Sequence, residues 1–212
     1  LTGGVFALQE GGRDPGELGI YGFRNRATTA YGDLVYATSR QVRFPRLWDE
    51  VGAAGGTSIV IGLPQTWPPS PISGVMVSGF EAQGVDLDEA GNWVEPAAEA
   101  ATIRRLVGTY TFDIEKFRDA PREQVRDVAA RMIDQRFDVL EHYLETREWD
   151  LAILCEIAPD RLHHCFWSDH DPAHARYRAD SPFRDVIRAS YRQVDARLGR
   201  LLGRLPEDVA VF

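Results

Sequence analysis

Lysine is almost missing from this chain: Lys116 is the only one among 24 basic residues. Positive charge is also in deficit, since 32 Asp and Glu outnumber those 24 to give a formal charge of -8. Tight binding to a nucleic-acid polymer needs many cationic groups to neutralise phosphates, so this balance argues against such a partner. With two cysteines, Cys155 and Cys165, a disulfide framework is excluded. Cys155 lies in an apolar run, where a buried thiol behaves as a small hydrophobe, and a reducing, cytoplasmic setting is the expectation. No apolar run approaches the length that spans a bilayer, and LTGGVFALQE lacks the charged-then-apolar grammar of a signal peptide. The start on Leu1 and the apolar close at Val209–Phe212, which reads as a strand just beginning, suggest an internal piece of a longer chain.

What is present is enough chain, 212 residues, for one large α/β domain or most of one. Up to about Arg43 the sequence is rich in glycine and turn formers (GGRDPGELG) and reads as loop with short elements. Leu47, Trp48, Val51 and Ala54 then recur at helical spacing, with Gly55-Gly56 suited to the helix end. Residues 58–63 (SIVIGL) form a buried strand, and the prolines of LPQTWPPSPISG impose irregular structure after it. Residues 75–80 return as extended chain. Residues 81–110 form an acidic connection without a clear period, and 81–120 reads as an insertion or connection.

Beyond Pro121, the residues Val125, Val128, Ala129, Met132, Ile133, Phe137, Leu140, Tyr143 and Leu144 fall on one stripe of a long amphipathic helix. The run 151–157 (LAILCEI) suits a parallel strand covered on both faces. A polar loop follows from about Pro159 to Asp180. Ser181-Pro182 then supplies a cap and first-turn proline for a second amphipathic helix running from Phe183 to Leu205. Helix, strand, helix, strand in this order predicts an α/β fold: a mainly parallel sheet flanked by helices, incomplete at both ends.

Ligands in such folds collect beyond the carboxyl ends of strands, and Asp160 and His164 lie just past Ile157. A carboxylate and an imidazole four residues apart can face the same way on a turn, and a divalent ion takes such ligands at about 2.0–2.2 Å. Four of the five histidines, His163, His164, His170 and His174, crowd this stretch with Asp169 and Asp171 between them. Spacing alone leaves two readings open, a solvated Asp/His loop and part of a metal site. A His/Cys zinc set using Cys165 lacks the second closely spaced cysteine it requires. Arg24, Asn25 and Arg26 could contact a phosphate through guanidinium forks, or form an exposed polar turn. GGRDPGELG lacks the spacing of phosphate-cradling loops and reads as a turn. Trp67 and Trp93 suit either a substrate cleft or a packing role.

Taken in order, Thr2-Gly3, DPGELGIYGF, LWDEVGAAGG, GLPQTWPPSPISGVMVSGF, WDLAILCEIAPDRLHHCFW and YRQVDARLGRLL resemble the type I phosphodiesterase/nucleotide pyrophosphatase branch of the alkaline phosphatase superfamily. The resemblance spans nearly the whole chain and implies a partial alkaline-phosphatase-like phosphohydrolase domain over 1–212. It implies an enzyme that hydrolyses esters or diesters of small phosphorylated substrates through a Thr or Ser phospho-enzyme. Two divalent ions, zinc with manganese as the other candidate, would grip the phosphoryl oxygens from about 3.5–4 Å apart. By motif position Asp160 and His164 match ligands of one ion, so this chain would carry half of the metal site. The nucleophile is expected upstream of Leu1, so the fragment itself should be inactive. Leu18 stands where many members have His, and Phe23 stands near an Asn of nucleotide pyrophosphatases. A phosphomutase, a sulfatase-like relative and a non-catalytic binding member are the alternatives.

Overall fold

The computed structural model describes residues 12–87 and 92–212. They fall into two compact units: one holds the described residues up to Phe112 with His142–Cys155, and the other holds Asp113–Glu141 with Glu156–Phe212.

In the first unit Asp14 caps a single helical turn, α1 (Pro15–Leu18), by accepting from the backbone N–H groups of Gly16 and Glu17, and Gly19 at φ 67° ends it. The described part of GGRDPGELG, residues 12–19, is thus a capped turn. An antiparallel pair, β1 (Arg24–Arg26) and β2 (Leu34–Tyr36), follows. Helix α2 (Leu47–Ala53) starts where the Asp49 carboxylate accepts from the Arg46 backbone N–H, and it buries Trp48. Gly55 at φ 87° turns the chain into β3 (Ser58–Ile61), every residue of which is buried.

Three parallel strands, β4 (Gly74–Val77), β3 and β6 (Leu151–Leu154), form the sheet together with antiparallel β5 (Val94–Glu95), in the order β5-β4-β3-β6. The mostly parallel sheet with helices is the α/β architecture expected from the sequence. β6 is shorter than expected and half-buried, because it is the end strand of the described sheet and only β3 pairs with it. Trp48, Val60, Leu63 and Met76 form the core beneath, with Cys155 packed at its margin.

The proline-rich crossing after β3 is irregular, as expected, and it is pinned by buried polar groups. Thr66 Oγ1 donates to the Leu63 carbonyl and accepts from the Gly79 N–H, while an Arg46 Nη2 donates to the Gln65 carbonyl. Gly79 runs so close to the preceding loop that a Cβ there would stand 2.4 Å from the Leu63 carbonyl oxygen. The described residues of the stretch 81–110 are more ordered than its composition suggests: they contain β5 and a nine-residue helix, α3 (Glu99–Val107), anchored by Ile103. Trp93 is a packing anchor there, stacked 6.1 Å from Tyr110 and edge-on to Phe112 at 5.8 Å.

Helix α4 (Arg122–Thr146) carries the expected stripe, and its residues as far as Glu141 belong to the second unit. The polar loop expected from Pro159 to Asp180 is instead largely helix, α5 (Ala158–His170). Pro159 is accommodated in its first turn, and Leu162 and Phe166 bury one face at i, i+4 spacing. The last helix, α6 (Val186–Leu202), begins later than expected, because residues 182–185 form turns that Ser181 caps by accepting from the Phe183 N–H. Phe166 of α5 packs 5.3 Å from Phe183. The expected strand at 209–212 is not formed: the Val209 N–H bonds the Pro206 carbonyl in a turn, and Val211 and Phe212 are exposed with no ladder partner. Among the described residues no helix is long and apolar enough to cross a membrane.

Candidate metal-ligating pair and its surroundings

β6 ends at Leu154 and α5 begins four residues later, so both sequence-predicted ligands sit in the first two turns of a helix that follows a parallel strand. Asp160 lies in the first turn, where the helix dipole favours a negative charge. His164 is one turn on and shares its face, and its Nε2 stands 3.6 Å from Oδ1 of Asp160. Both side chains are 47% exposed. Two donors each about 2.1 Å from one ion at a tetrahedral angle stand about 3.4 Å apart, so this pair has the spacing and chemistry to share a divalent cation. Among the described residues no group of three or more His, Cys, Asp and Glu side chains is placed to hold an ion, so the pair offers two ligands and no closed cage.

The groups behind the pair are largely shielded from solvent. Arg161 is 11% exposed and Asp113 is 7% exposed. Arg161 donates from Nε and Nη2 to the two oxygens of Asp113, at 2.7 and 2.6 Å, and from Nη1 to Oδ2 of Asp160 at 2.8 Å. Burial disfavours the guanidinium charge, but the bonds and charges of Asp113 and Asp160 outweigh it, so Arg161 holds its proton more firmly than usual. The Phe117 ring lies 4.7 Å beneath that guanidinium and 5.9 Å from the His164 ring. Cys165 donates its thiol to the Phe117 carbonyl, and burial raises its pKa against the pull of Arg122, Arg118 and Arg161. That thiol helps hold the Phe117 loop.

The other histidines and acids of the stretch have different partners. His163 packs between Trp167 and Tyr191, at 5.5 and 5.6 Å. His170 Nδ1 is 3.5 Å from the Arg184 carbonyl, and His174 Nδ1 accepts from the Arg176 N–H. Asp169 is buried against the Arg122 guanidinium and the Ser181 hydroxyl, and Asp171 caps a turn by accepting from the Ala173 N–H. Of the four clustered histidines, His164 alone faces a carboxylate among the described residues.

Two residues past β6, Glu156 accepts from the Ala158 N–H and stands 3.4 Å from Nη1 of the fully buried Arg136. Burial raises its pKa, with Arg136 and the Ala158 N–H opposing.

In the first unit, the sequence-predicted phosphate contacts lie on the β1–β2 hairpin. Arg24 donates to the Tyr36 hydroxyl and lies over its ring, Arg26 lies 4.0 Å over Tyr31, and Asn25 is bonded to the Gly22 carbonyl and the Tyr21 N–H. Both arginines remain exposed, whereas the Asn25 amide is committed to the turn. Leu18 is buried with Ile20 and Ala37, and Phe23 packs edge-on to Phe80 at 5.0 Å. Both positions therefore serve packing. Trp67 lines a cleft of about 390 Å³ with Thr38, Arg40, Pro68, Val85, Asp86 and Asn92. Thr2-Gly3 lies outside the described residues.

Sequence reasoning singled out Asp160 and His164 but passed over Asp113, Arg161 and Glu156. A charged residue directly after a candidate ligand was the one signal for Arg161, and none existed for Asp113, 48 residues away. No curated protein and no solved structure matches the chain. The model of one family, described as type I phosphodiesterase / nucleotide pyrophosphatase, matches residues 11–212. With that match over nearly its whole length, the chain belongs to the type I phosphodiesterase/nucleotide pyrophosphatase family, a family of hydrolases acting on phosphodiester and pyrophosphate bonds.

Proposed function

We propose that the protein hydrolyses phosphate esters or diesters of small molecules with two divalent ions, zinc first among candidates, and that Asp160 and His164 hold one of them. The observation that carries the reading is the 3.6 Å separation of Oδ1 and Nε2 on one exposed face of α5. When bound, such ions neutralise charge on phosphoryl oxygens and on the attacking and leaving oxygens.

The chain's own residues supply position. The α5 backbone sets the two ligands one turn apart, and the largely shielded Asp113–Arg161 pair holds Oδ2 of Asp160. Phosphoryl transfer asks mainly for placement and charge neutralisation, so rigidity here contributes directly to rate. Arg24 and Arg26, exposed on their hairpin, are the candidates for contacting a phosphoryl oxygen. A covalent phospho-enzyme on Thr or Ser belongs to the same reading and rests on the family resemblance.

The test uses the full-length protein with a chromogenic phosphodiester, a monoester and a sulfate ester, with and without chelator. Hydrolysis of a phosphate ester that is lost with chelator and in His164→Ala, together with bound metal, is the expected result. Undiminished turnover in His164→Ala would move the chemistry elsewhere. Preference for the sulfate ester, or bound metal without turnover of any substrate, would favour a sulfatase-like or a non-catalytic member.

A further inference from the structure

The cleft beside Trp67 is walled by three segments of the first unit, each fastened by its own hydrogen bonds. Ser39 donates its N–H to the Trp67 carbonyl at 2.9 Å and its hydroxyl to the Pro68 carbonyl, so the turn that carries Arg40 is stapled to the Trp67-Pro68 wall. Oε1 of Gln41 accepts from both the N–H and the hydroxyl of Thr38, which fixes the start of that turn. The Gln65 N–H donates to Glu81 at 2.6 Å and ties the Trp67 loop to the stretch leading to Asp86. Asn92 precedes Trp93, whose carbonyl accepts from the Ser78 N–H at 2.9 Å. The polar groups on these stiff walls are less committed: among the described residues the side chains of Arg40 and Asn92 make no hydrogen bond and no ion pair. The Trp67 N–H is buried, so what the cleft meets of that side chain is the carbon part of the indole.

We propose that this cleft binds a neutral polyhydroxylated ring, a monosaccharide unit, with the apolar face of the sugar against Trp67 and Pro68 and its hydroxyls on Arg40, Asn92 and Asp86. The site is separate from the reading of Asp160 and His164 as metal ligands and does not depend on it. At about 390 Å³ the cleft lies within the range of about 300–1,000 Å³ usual for small-molecule sites. Its lining holds one guanidinium and one carboxylate, so it offers no net charge to draw an anion, and Asp86 opposes one. A purely apolar ligand would leave Arg40 and Asn92 without partners. Sugar hydroxyls both donate and accept, so one ring can serve an acceptor-only carboxylate, a donor-only guanidinium fork and a carboxamide that does both. A flat base is commonly held between two rings, whereas Trp67 is the one aromatic side chain lining the cleft among the described residues. Walls set in place before the ligand arrives reduce the ordering cost of binding.

The experiment is saturation-transfer NMR and calorimetric titration of the full-length protein with the methyl glycosides of glucose, galactose, mannose and N-acetylglucosamine, and with adenosine and inorganic phosphate for comparison. A chelator is present throughout, so the result is independent of metal and of turnover. At least one glycoside is expected to bind with a Kd of about 1 mM or tighter, with transfer strongest to its ring C–H protons. Arg40→Ala and Asn92→Ala should each weaken that glycoside by about 5–10-fold, the loss of one hydrogen bond. Trp67→Leu, which keeps apolar bulk and loses the flat face, should abolish transfer to the ring protons. Arg43→Ala removes an exposed arginine that does not line the cleft and should bind as wild type does. If Trp67→Leu does not fold, Arg40→Ala decides, because that side chain is exposed and holds nothing else in place. Binding of no glycoside, tighter binding of adenosine or phosphate, or a glycoside affinity unchanged in the Arg40 and Asn92 variants would each overturn the proposal.

Discussion

Arg136, buried to 1% exposure in the middle of α4, stands 3.4 Å from Glu156, whose side chain is 10% exposed. A buried ion pair of this kind is weak evidence of net stabilisation, because two desolvation costs offset the attraction. Removing one partner is another matter, since it strands the other charge in a poorly solvated site.

Arg136→Met is therefore expected to destabilise the protein by about 3–5 kcal/mol in urea unfolding, and Arg136→Met with Glu156→Leu by distinctly less. If the double variant is no better than the single one, the two side chains are not energetically coupled and the loss comes from other contacts of Arg136.

The raised pKa of Glu156 gives a pH signature with a definite sign. Burial makes its ionised form costlier in the folded state than in the unfolded one, with Arg136 and the Ala158 N–H only partly compensating. A carboxyl raised in this way supports the fold fully below its unfolded pKa, and that support is lost as pH rises through the folded value. In Glu156→Gln the decline in stability above the ordinary carboxylate range should flatten relative to wild type. Parallel curves for the two proteins in pH-dependent thermal unfolding would refute the assignment.

Which features were legible in the sequence follows from where their physical causes lie. The α4 stripe and the β3 run announce themselves because burial writes a period of 3.6 or an unbroken apolar stretch directly into the residues. Helix α5 is hidden because Leu162 and Phe166 carry its buried face amid Asp160, His163, His164 and Ser168. β5 is two residues long and owes its existence to pairing with β4. Asp160 and His164 were readable because their relationship is local, one helical turn. The brace on Asp160 was not, since Asp113 reaches Arg161 from another segment through tertiary folding. Val209–Phe212 shows the converse: an apolar β-branched composition permits a strand, but a ladder needs a neighbour.

The motif GVMVSGF can be tested through its second glycine. A Cβ at Gly79 would stand 2.4 Å from the Leu63 carbonyl oxygen, a backbone atom that cannot swing aside, in a loop already fastened by Thr66. Gly79→Ala should cost about 2 kcal/mol or more in chemical denaturation, at the upper end of the overpacking range. Gly32→Ala, where nothing lies within 4 Å of the new atom, serves as the control and should be nearly neutral. Equal stabilities for the two variants would mean that the close approach is not present in solution.

Asp169 separates the structural acids of α5 from the proposed ligand. It is buried, and although burial works to raise its pKa, bonds from the Arg122 guanidinium and the hydroxyls of Ser181 and Ser168 prevail and hold it below the usual carboxylate range. Arg122 in turn lies over the Phe166 and Phe183 rings, at 4.7 and 4.5 Å, so the carboxylate helps join α5 to the turn before α6. A depressed pKa contributes stability above the unfolded value and loses it as pH falls through the folded one. Asp169→Asn should thus destabilise by about 1–3 kcal/mol at neutral pH, and the gap from wild type should narrow on acidification below the ordinary carboxylate range. Metal content measured on the same preparation should be unchanged, because Asp169 faces Arg122 and Ser181, whereas Asp160→Asn should lower metal content with little effect on unfolding, its side chain being half exposed. Loss of bound metal in Asp169→Asn without loss of stability would reverse the roles assigned to these two carboxylates.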